Sequence, residues 1–422
     1  MSGANEFLIR HGQSAAQIDA EKHLLLFQKD MEKGLKGQPS PLPMMPSYLS
    51  SEIKHKIKEK KLLIDLGGTN LRCAVGWFDD KHKPCFEYLS KYPVPLDNIG
   101  AEEFYGYIAR CIEPISCLGD DIGLCFSFNV DVDSTLDGVL IGLSKEMDNP
   151  DLIGTRVGRR TLEALLRYDG KARKISVLND TAATLLGGLS LRPNEKFSAA
   201  VGFIMGTGTN ICYAEDTAKI EKVAGYRQKK MIINCESAEY GGFAQGDFDK
   251  SVAENTDFPD QSPLEKMTSG KYLADIAFQA LIAAQNEGLL PDSGLHIPFD
   301  TIDISEFFTN KQGLLYDAYH AKSDRVTVAE ILSGIIERSA KISATTIAAA
   351  ALFSHDGSDN PVGLVCEGTT YHRLPKYKQL LRYYLDRLLT DKGIKYQIID
   401  DGSEYNLTGG LMSTFAFPEF VR

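Results

Sequence analysis

The stretch Lys61 to Phe78, KLLIDLGGTNLRCAVGWF, decides the fold. Leu62, Ile64 and Leu66 alternate as one face of a strand does, Gly67-Gly68 interrupts, and Leu71, Cys73, Val75 and Trp77 resume a period of two. The pattern is strand, tight turn, strand. Two glycines followed by Thr69 and Asn70 let successive backbone N–H groups face one point with no Cβ in the way, as an anion-binding nest requires. Asp65, just before the turn, would repel a bare phosphate but can hold water on a magnesium ion that screens it. Taken alone, the stretch is also what an ordinary hairpin with a Gly-Gly turn looks like.

A second copy shifts that balance. Ser198 to Tyr213, SAAVGFIMGTGTNICY, again has an apolar strand, a turn of small residues (Gly206-Thr207-Gly208-Thr209-Asn210) and a further strand start. Two phosphate hairpins about 140 residues apart point to a duplicated architecture with one nucleotide held between two lobes. Neither copy is G-x-x-x-x-G-K-[ST] and neither opens directly into a helix, which disfavours Walker and dinucleotide-binding folds. The expectation is an α/β protein of the two-lobed actin-like ATPase (ribonuclease H-like) class, with a small and a large domain and a central cleft.

With 422 residues, 43% of them hydrophobic, the chain can bury a substantial core and form two or three domains. Its net charge of −11 argues against a general nucleic-acid or anionic-membrane surface. The eight cysteines form no C-x-x-C pair and several sit in apolar runs, so they read as reduced core residues. No H-E-x-x-H is present, the N-terminus lacks a leader-like pattern, and no apolar run approaches a membrane span. A cytoplasmic setting is expected.

Along the chain, residues 21–33 have helical spacing, and Gly34 to Pro46 is a proline-rich connector. The basic run Lys54 to Lys61 reads as a solvated helix face. Phe86 to Tyr92 and Ile122 to Phe128 are expected strands, Ala101 to Leu118 a helix, and Asn129 to Gly138 a loop. Residues 151–168 look helical, Lys174 to Leu178 is a strand ending at Asn179-Asp180, and a helix starts at Thr181. Later come a strand at Met231 to Cys235, long helices near 271–288 and 328–353, and strands at Val362 to Glu367 and Ile394 to Ile399. Alternating strands and helices gather ligands at strand ends.

Those strand ends carry Asp65, Lys145, Asp180, Glu236 and Gly368, the inventory of a site for a phosphorylated nucleotide and a polyol. Phosphoryl transfer needs in-line positioning, charge neutralisation and a group to accept the hydroxyl proton. Buried sugar hydroxyls both donate and accept, and Asn, Asp, Glu and Ser match them. Each residue also has a plainer explanation: Lys145 as a surface lysine, Glu236 as a turn cap, Asp180 as the N-cap of the following helix.

At this point the sequence resembles the eukaryotic-type hexokinases, including glucokinase. Met31-Glu32-Lys33-Gly34-Leu35 and Met45-Pro46-Ser47-Tyr48 are similar to the family's M-x-x-G-L and M-L-P-[ST]-Y, and Asp65 to Arg72 matches the first phosphate motif without change. Phe126-Ser127-Phe128 resembles F-S-F-P, Leu143-Ser144-Lys145 stands where the family has W-T-K, and Leu178-Asn179-Asp180-Thr181 looks like the catalytic N-D-T. Met205 to Asn210 resembles the second phosphate motif, Ile233 to Glu236 the I-N-x-E segment, and Leu264 to Leu273 E-K-M-x-S-G-x-Y-L. Gly368-Thr369-Thr370-Tyr371 and Asp401-Gly402-Ser403 look like the adenosine-side turns.

The resemblance implies an ATP-dependent hexose 6-phosphotransferase acting on glucose, with MgATP as the donor. Asp180 would be the general base, assisted by Lys145. Ser127, Ser144, Lys145, Asn179, Asn210, Glu236 and Glu265 would line the sugar pocket. Gly67, Gly68, Thr69, Asn70 and Arg72, with Gly206, Thr207 and Gly208, would hold the phosphates, and Lys271, Gly368, Gly402 and Ser403 would lie towards the rest of ATP. Asp65 would act through magnesium-bound water rather than as a direct ligand. Residues 1–53 would be a helical segment and linker packing on the large domain, 54–179 the small domain, 180–408 the large domain, and 409–422 a tail returning to the small one. Lobe closure would exclude water as a competing acceptor.

Departures cluster in the sugar pocket: Asn129 for proline, Leu143 for tryptophan, Glu146-Met147 for G-F, and a longer turn from Ser237 to Phe243. The family's last phosphate-side turn runs straight into a helix, whereas Leu407 to Gly410 reads as extra residues before a short tail. The readings left open are a kinase of the same fold for another hexose or an amino sugar, and a sugar-binding regulator without catalysis.

Overall fold

The computed structural model describes residues 2–95, 99–143, 149–402 and 404–417. The chain divides into two units, the first built from Met1–Pro43, Phe203–Ile211 and Cys235–Gln397, the second from Met44–Gly202, Cys212–Asn234 and Ile398–Arg422. In chain order the strands are β1 (Met45–Pro46), β2 (Lys61–Leu66), β3 (Asn70–Phe78), β4 (Pro84–Pro93), β5 (Ile122–Phe126), β6 (Asn129–Val132) and β7 (Gly138–Gly142). They continue as β8 (Ile175–Leu178), β9 (Ala199–Met205), β10 (Thr209–Asp216), β11 (Lys230–Asn234), β12 (Val362–Glu367) and β13 (Tyr396–Ile399).

The second unit is organised around a five-stranded sheet in the order β4-β3-β2-β5-β8. β2 and β3 form the antiparallel hairpin read from the sequence, while β2, β5 and β8 run parallel. Every residue of β2 is buried, as befits a central strand covered on both faces. Leu62, Ile64 and Leu66 join a core with Phe104, Ile108 and Ile112 of the helix Ala101–Ile112 and with Val157 and Leu165 of the helix Val157–Asp169. The register sets Asp65 beside Cys125, and Cys125 beside Leu178, so the three parallel strands end in one row.

Three stretches differ from the sequence reading. The basic run is not helical: Lys58 N donates to Phe78 O at 2.7 Å and the His55 ring stacks on Phe78 with centroids 3.8 Å apart. That anchoring holds the segment against the end of β3, and Lys61 starts β2 with its ammonium on Asp121 at 2.8 Å. Asn129–Val132 is a strand rather than part of a loop, because Val130 and Val132 keep a period of two between polar residues and pair with β7. Leu407 to Gly410 lies inside the helix Tyr405–Ser413, so the last turn does run straight into a helix.

Glycines explain why that helix was hard to see and why it exists. A Cβ on Gly409 would strike the carbonyl of Ala183, one on Gly187 the carbonyl of Tyr405, and one on Gly123 the carbonyl of Gly410. The helices Asp180–Ser190 and Tyr405–Ser413 therefore meet backbone to backbone, and the second also lies directly on β5. Packing outweighs the poor intrinsic helix propensity of Thr408-Gly409-Gly410.

The first unit is dominated by the 33-residue helix Lys322–Ser354, whose Ala348 to Ala351 are fully buried. The helices Ala20–Leu35, Gly270–Asn286 and Tyr377–Leu388 pack on it. Six of the eight cysteines are buried, Cys85 is half-buried and Cys117 exposed, and none of the eight forms a disulfide. Among the described residues no helix is long and apolar enough to cross a membrane.

Candidate active site

In the second unit, the row of strand ends delivers the acidic and polar residues singled out in the sequence. Asp65 is buried on β2 and its Oδ2 accepts from Nε of Arg72 at 2.9 Å, with Nη2 as a second donor. The turn that follows is closed by Gly67 N donating to Asn70 O at 2.9 Å, and Thr69 O accepts from Val94 N at 3.1 Å. Asn70 Nδ2 rests on Thr69 Oγ1 at 2.8 Å. Ser127 follows β5, its N–H donating to Leu66 O at 3.0 Å.

The helix Asp180–Ser190 has Asn179 as its N-cap: the Asn179 side-chain oxygen accepts from Thr181 N at 2.9 Å. Capping is thus not the task of Asp180, which occupies the first helical position, half-exposed, with Thr181 Oγ1 donating to it at 3.2 Å. Cys125 reports the local field. Its thiol is pushed well up, first by complete burial and then by the Asp65 and Asp180 carboxylates. Gly402 N donates to Tyr405 Oη at 2.7 Å in the turn before the last helix. Ser144, Lys145 and Ser403 lie outside the described residues.

Arg72, expected at the nucleotide phosphates, is engaged by two carboxylates. Besides Asp65 it donates through Nη1 to Glu404, a residue the motif reading passed over. Burial works against its charge, and Asp65 with Glu404 more than offsets that, so the guanidinium is held firmly protonated.

In the first unit, the tip of the β9–β10 hairpin is closed by Gly206 N donating to Gly208 O at 2.9 Å. Its carbonyls are tied down: Gly206 O accepts from Gly270 N and from Thr370 Oγ1, each at 2.9 Å, and Thr207 O accepts from Lys271 N at 3.3 Å. The sequence motif around Gly270-Lys271 and Gly368-Thr369-Thr370 thus has a local physical meaning, since it holds the hairpin by its carbonyl side. Gly368 caps the short helix Thr369–Arg373 directly after β12.

Glu265, in the helix Pro263–Thr268, folds onto the same hairpin. Its Oε2 accepts from Thr209 N at 3.1 Å and sits where a Cβ on residue 208 would be, so a larger residue there would have to displace the carboxylate. Asn210 Oδ1 accepts from Ile211 N at 2.7 Å, Ser237 N at 3.0 Å and Ser237 Oγ at 3.3 Å. Glu236 precedes that serine in a left-handed conformation, φ 50° and ψ 49°, nearly buried. Such a backbone in a non-glycine residue costs about 1–3 kcal/mol and concentrates at functional positions. The hairpin therefore gathers Asn210, Glu236 and Glu265 within one unit.

Glu239 was missed in the sequence. Its carboxylate accepts from Ser262 N at 3.1 Å and Ser262 Oγ at 2.7 Å, bracing the turn after Glu236 against the helix that carries Glu265. Among the described residues no group of three or more His, Cys, Asp or Glu side chains is arranged to hold a metal ion.

Comparison with known proteins places this geometry. Two family models, both described as hexokinase, match residues 17–189 and 200–405. Hexokinase-1 of Schizosaccharomyces pombe is 29% identical over 420 residues, covering 89% of this chain and 84% of that protein. Human hexokinase-1 is 26% identical over 418 residues, and there the chain spans only 44% of its relative's length. A hexokinase from Schistosoma mansoni complexed with glucose superposes with a TM-score of 0.79 at 20% identity, over 98% of this chain and 100% of that one. A ROK family glucokinase from Streptomyces griseus aligns with a TM-score of 0.51 at 14% identity, over 83% of this chain. The fold is accordingly the α/β fold of the actin-like ATPase class. Because the two models between them take in nearly the whole length, with the hairpins and strand ends inside them, the chain belongs to the hexokinase family.

Proposed function

We propose that the chain transfers the γ-phosphoryl group of MgATP to the 6-hydroxyl of a hexose, with glucose the preferred acceptor. One observation carries this reading: Asp180 stands at the end of a parallel strand with its carboxylate not spent on capping, because Asn179 performs that task. A carboxylate so placed serves as the general base that takes the hydroxyl proton as the phosphoryl group moves. Asp65 would meet the magnesium that arrives with the nucleotide through bound water, and Arg72 keeps that carboxylate oriented.

In the second unit Ser127 and Asn179 would bind sugar hydroxyls beside Asp180, together with Ser144 and Lys145. In the first unit Asn210, Glu236 and Glu265 would do the same. The phosphates would be taken by the turns Gly67 to Asn70 and Gly206 to Gly208, whose backbones are fixed by the hydrogen bonds described above. Lys271, Gly368, Gly402 and Ser403 would serve the remainder of ATP. Eight cysteines outside any disulfide support a reducing, cytoplasmic setting.

The test is coupled ADP release over glucose, fructose, mannose and glucosamine, with Asp180→Ala as the control. Glucose is expected to give the highest kcat/KM, and Asp180→Ala to lower turnover about a thousandfold while sugar binding changes far less. Glucose ranking far below another hexose would reassign the acceptor. No sugar-dependent turnover above the control would replace the kinase by a sugar-binding regulator.

A further inference from the structure

Glu404 stands just before the helix Tyr405–Ser413 with φ 62° and ψ 37°, a left-handed conformation in which glycine would be free of steric cost. A glutamate there must be held by its side chain, and its carboxylate accepts from Arg72 Nη1. Arg72 donates Nε and Nη2 to Asp65, so one guanidinium is shared between two carboxylates. The three groups sum to one negative charge, set at the foot of the Gly67–Asn70 turn, since Arg72 and Asp65 face each other across β2 and β3. Glu404 is also the residue just before a nine-residue helix; its side chain makes no cap hydrogen bond there, but its negative charge lies next to a helix start whose dipole would otherwise favour an incoming anion.

These facts have one electrostatic consequence. A polyphosphate approaching the turn bare of cations meets a net negative triad in place of a free arginine, whereas a cation-complexed polyphosphate arrives with much of its charge screened. We propose that Glu404 is a specificity-determining residue that makes nucleotide binding depend on the complexed cation. It acts by neutralising Arg72 and closing the helix start to bare phosphate. The inference rests on the reading of Gly67 to Asn70 as a phosphate turn.

The experiment is isothermal titration of ADP into the whole protein, with magnesium and with EDTA, for wild type, Glu404→Gln and Glu404→Gly. Glu404→Gln keeps the shape and removes the charge; Glu404→Gly also relieves the backbone and is expected to fold at least as well. In both variants magnesium-free ADP should bind about five- to tenfold tighter than to wild type, with MgADP changing less than twofold. The ratio of the two constants is the readout, because a merely structural glutamate would move both affinities together. An unchanged ratio in both variants overturns the inference. Thr69→Asp separates the underlying reading: if it leaves MgADP affinity unaltered, the turn does not hold phosphate and the assignment of that turn fails instead.

Discussion

Gly208 and Glu265 show how closely one atom can govern a site. Because the carboxylate oxygen occupies the space a Cβ would need, Gly208→Ala must push Glu265 off Thr209 N. The expected result is a loss of about ten- to a hundredfold in kcat/KM for the sugar, with the nucleotide KM little changed. Steady-state kinetics with each substrate varied in turn checks it, and an unaltered sugar KM would show that Glu265 is not held by this contact for binding. Much at this scale was legible in the sequence, because glycine-rich turns and strand-end carboxylates leave local patterns. What was not legible is telling. Glu404 and Glu239 act on residues far along the chain, 332 residues away for Arg72 and 23 for Ser262, and no local pattern marks such pairs. Arg72 sits in a perfect motif, yet the motif could not show that two carboxylates hold its guanidinium.

Elements are governed by packing as much as by propensity. Strands such as β2 announced themselves through period-two apolar runs, and the helix Asp180–Ser190 through its cap. The basic run Lys54 to Lys61 misled because its charge spacing suits a helix, while stacking of His55 on Phe78 holds it otherwise. The helix Tyr405–Ser413 misled for the opposite reason: its glycines look like a breaker and are in fact contact surface. Gly409→Val should therefore destabilise the protein by about 1–3 kcal/mol through overpacking against Ala183, seen as a lower melting temperature. It should also reduce kcat, since the displaced helix carries Asp180 at its start. A variant that melts as wild type does and turns over normally would show that the seam has slack.

For the molecule as a whole, two histidines, one in each unit, tie stability to pH. Burial and Lys22 depress His23, which stacks on Phe243; burial and His82 depress His55. Both are lowered from an ordinary 6.5, so below that value the unfolded chain binds more protons than the folded one. Their contribution is complete above about pH 6.5 and is lost as pH falls towards the depressed folded values. Melting temperatures measured from pH 7.5 down to 5.5 should fall, and fall less steeply in a His23→Gln, His55→Gln double variant; parallel curves would remove these histidines from the account. The division into two units was expected from the paired hairpins, but the way the chain crosses between them five times was not, because crossings leave no compositional trace. The glycine seam has one more implication. Residue 180 is made long before residue 409, yet the surface on which its helix comes to rest is supplied only by that later segment. A nascent chain halted between the two would expose a bare strip of main chain where Ala183 awaits its neighbour, so the helix that begins at Asp180 lacks part of its seat until the segment Tyr405–Ser413 has been made and has docked.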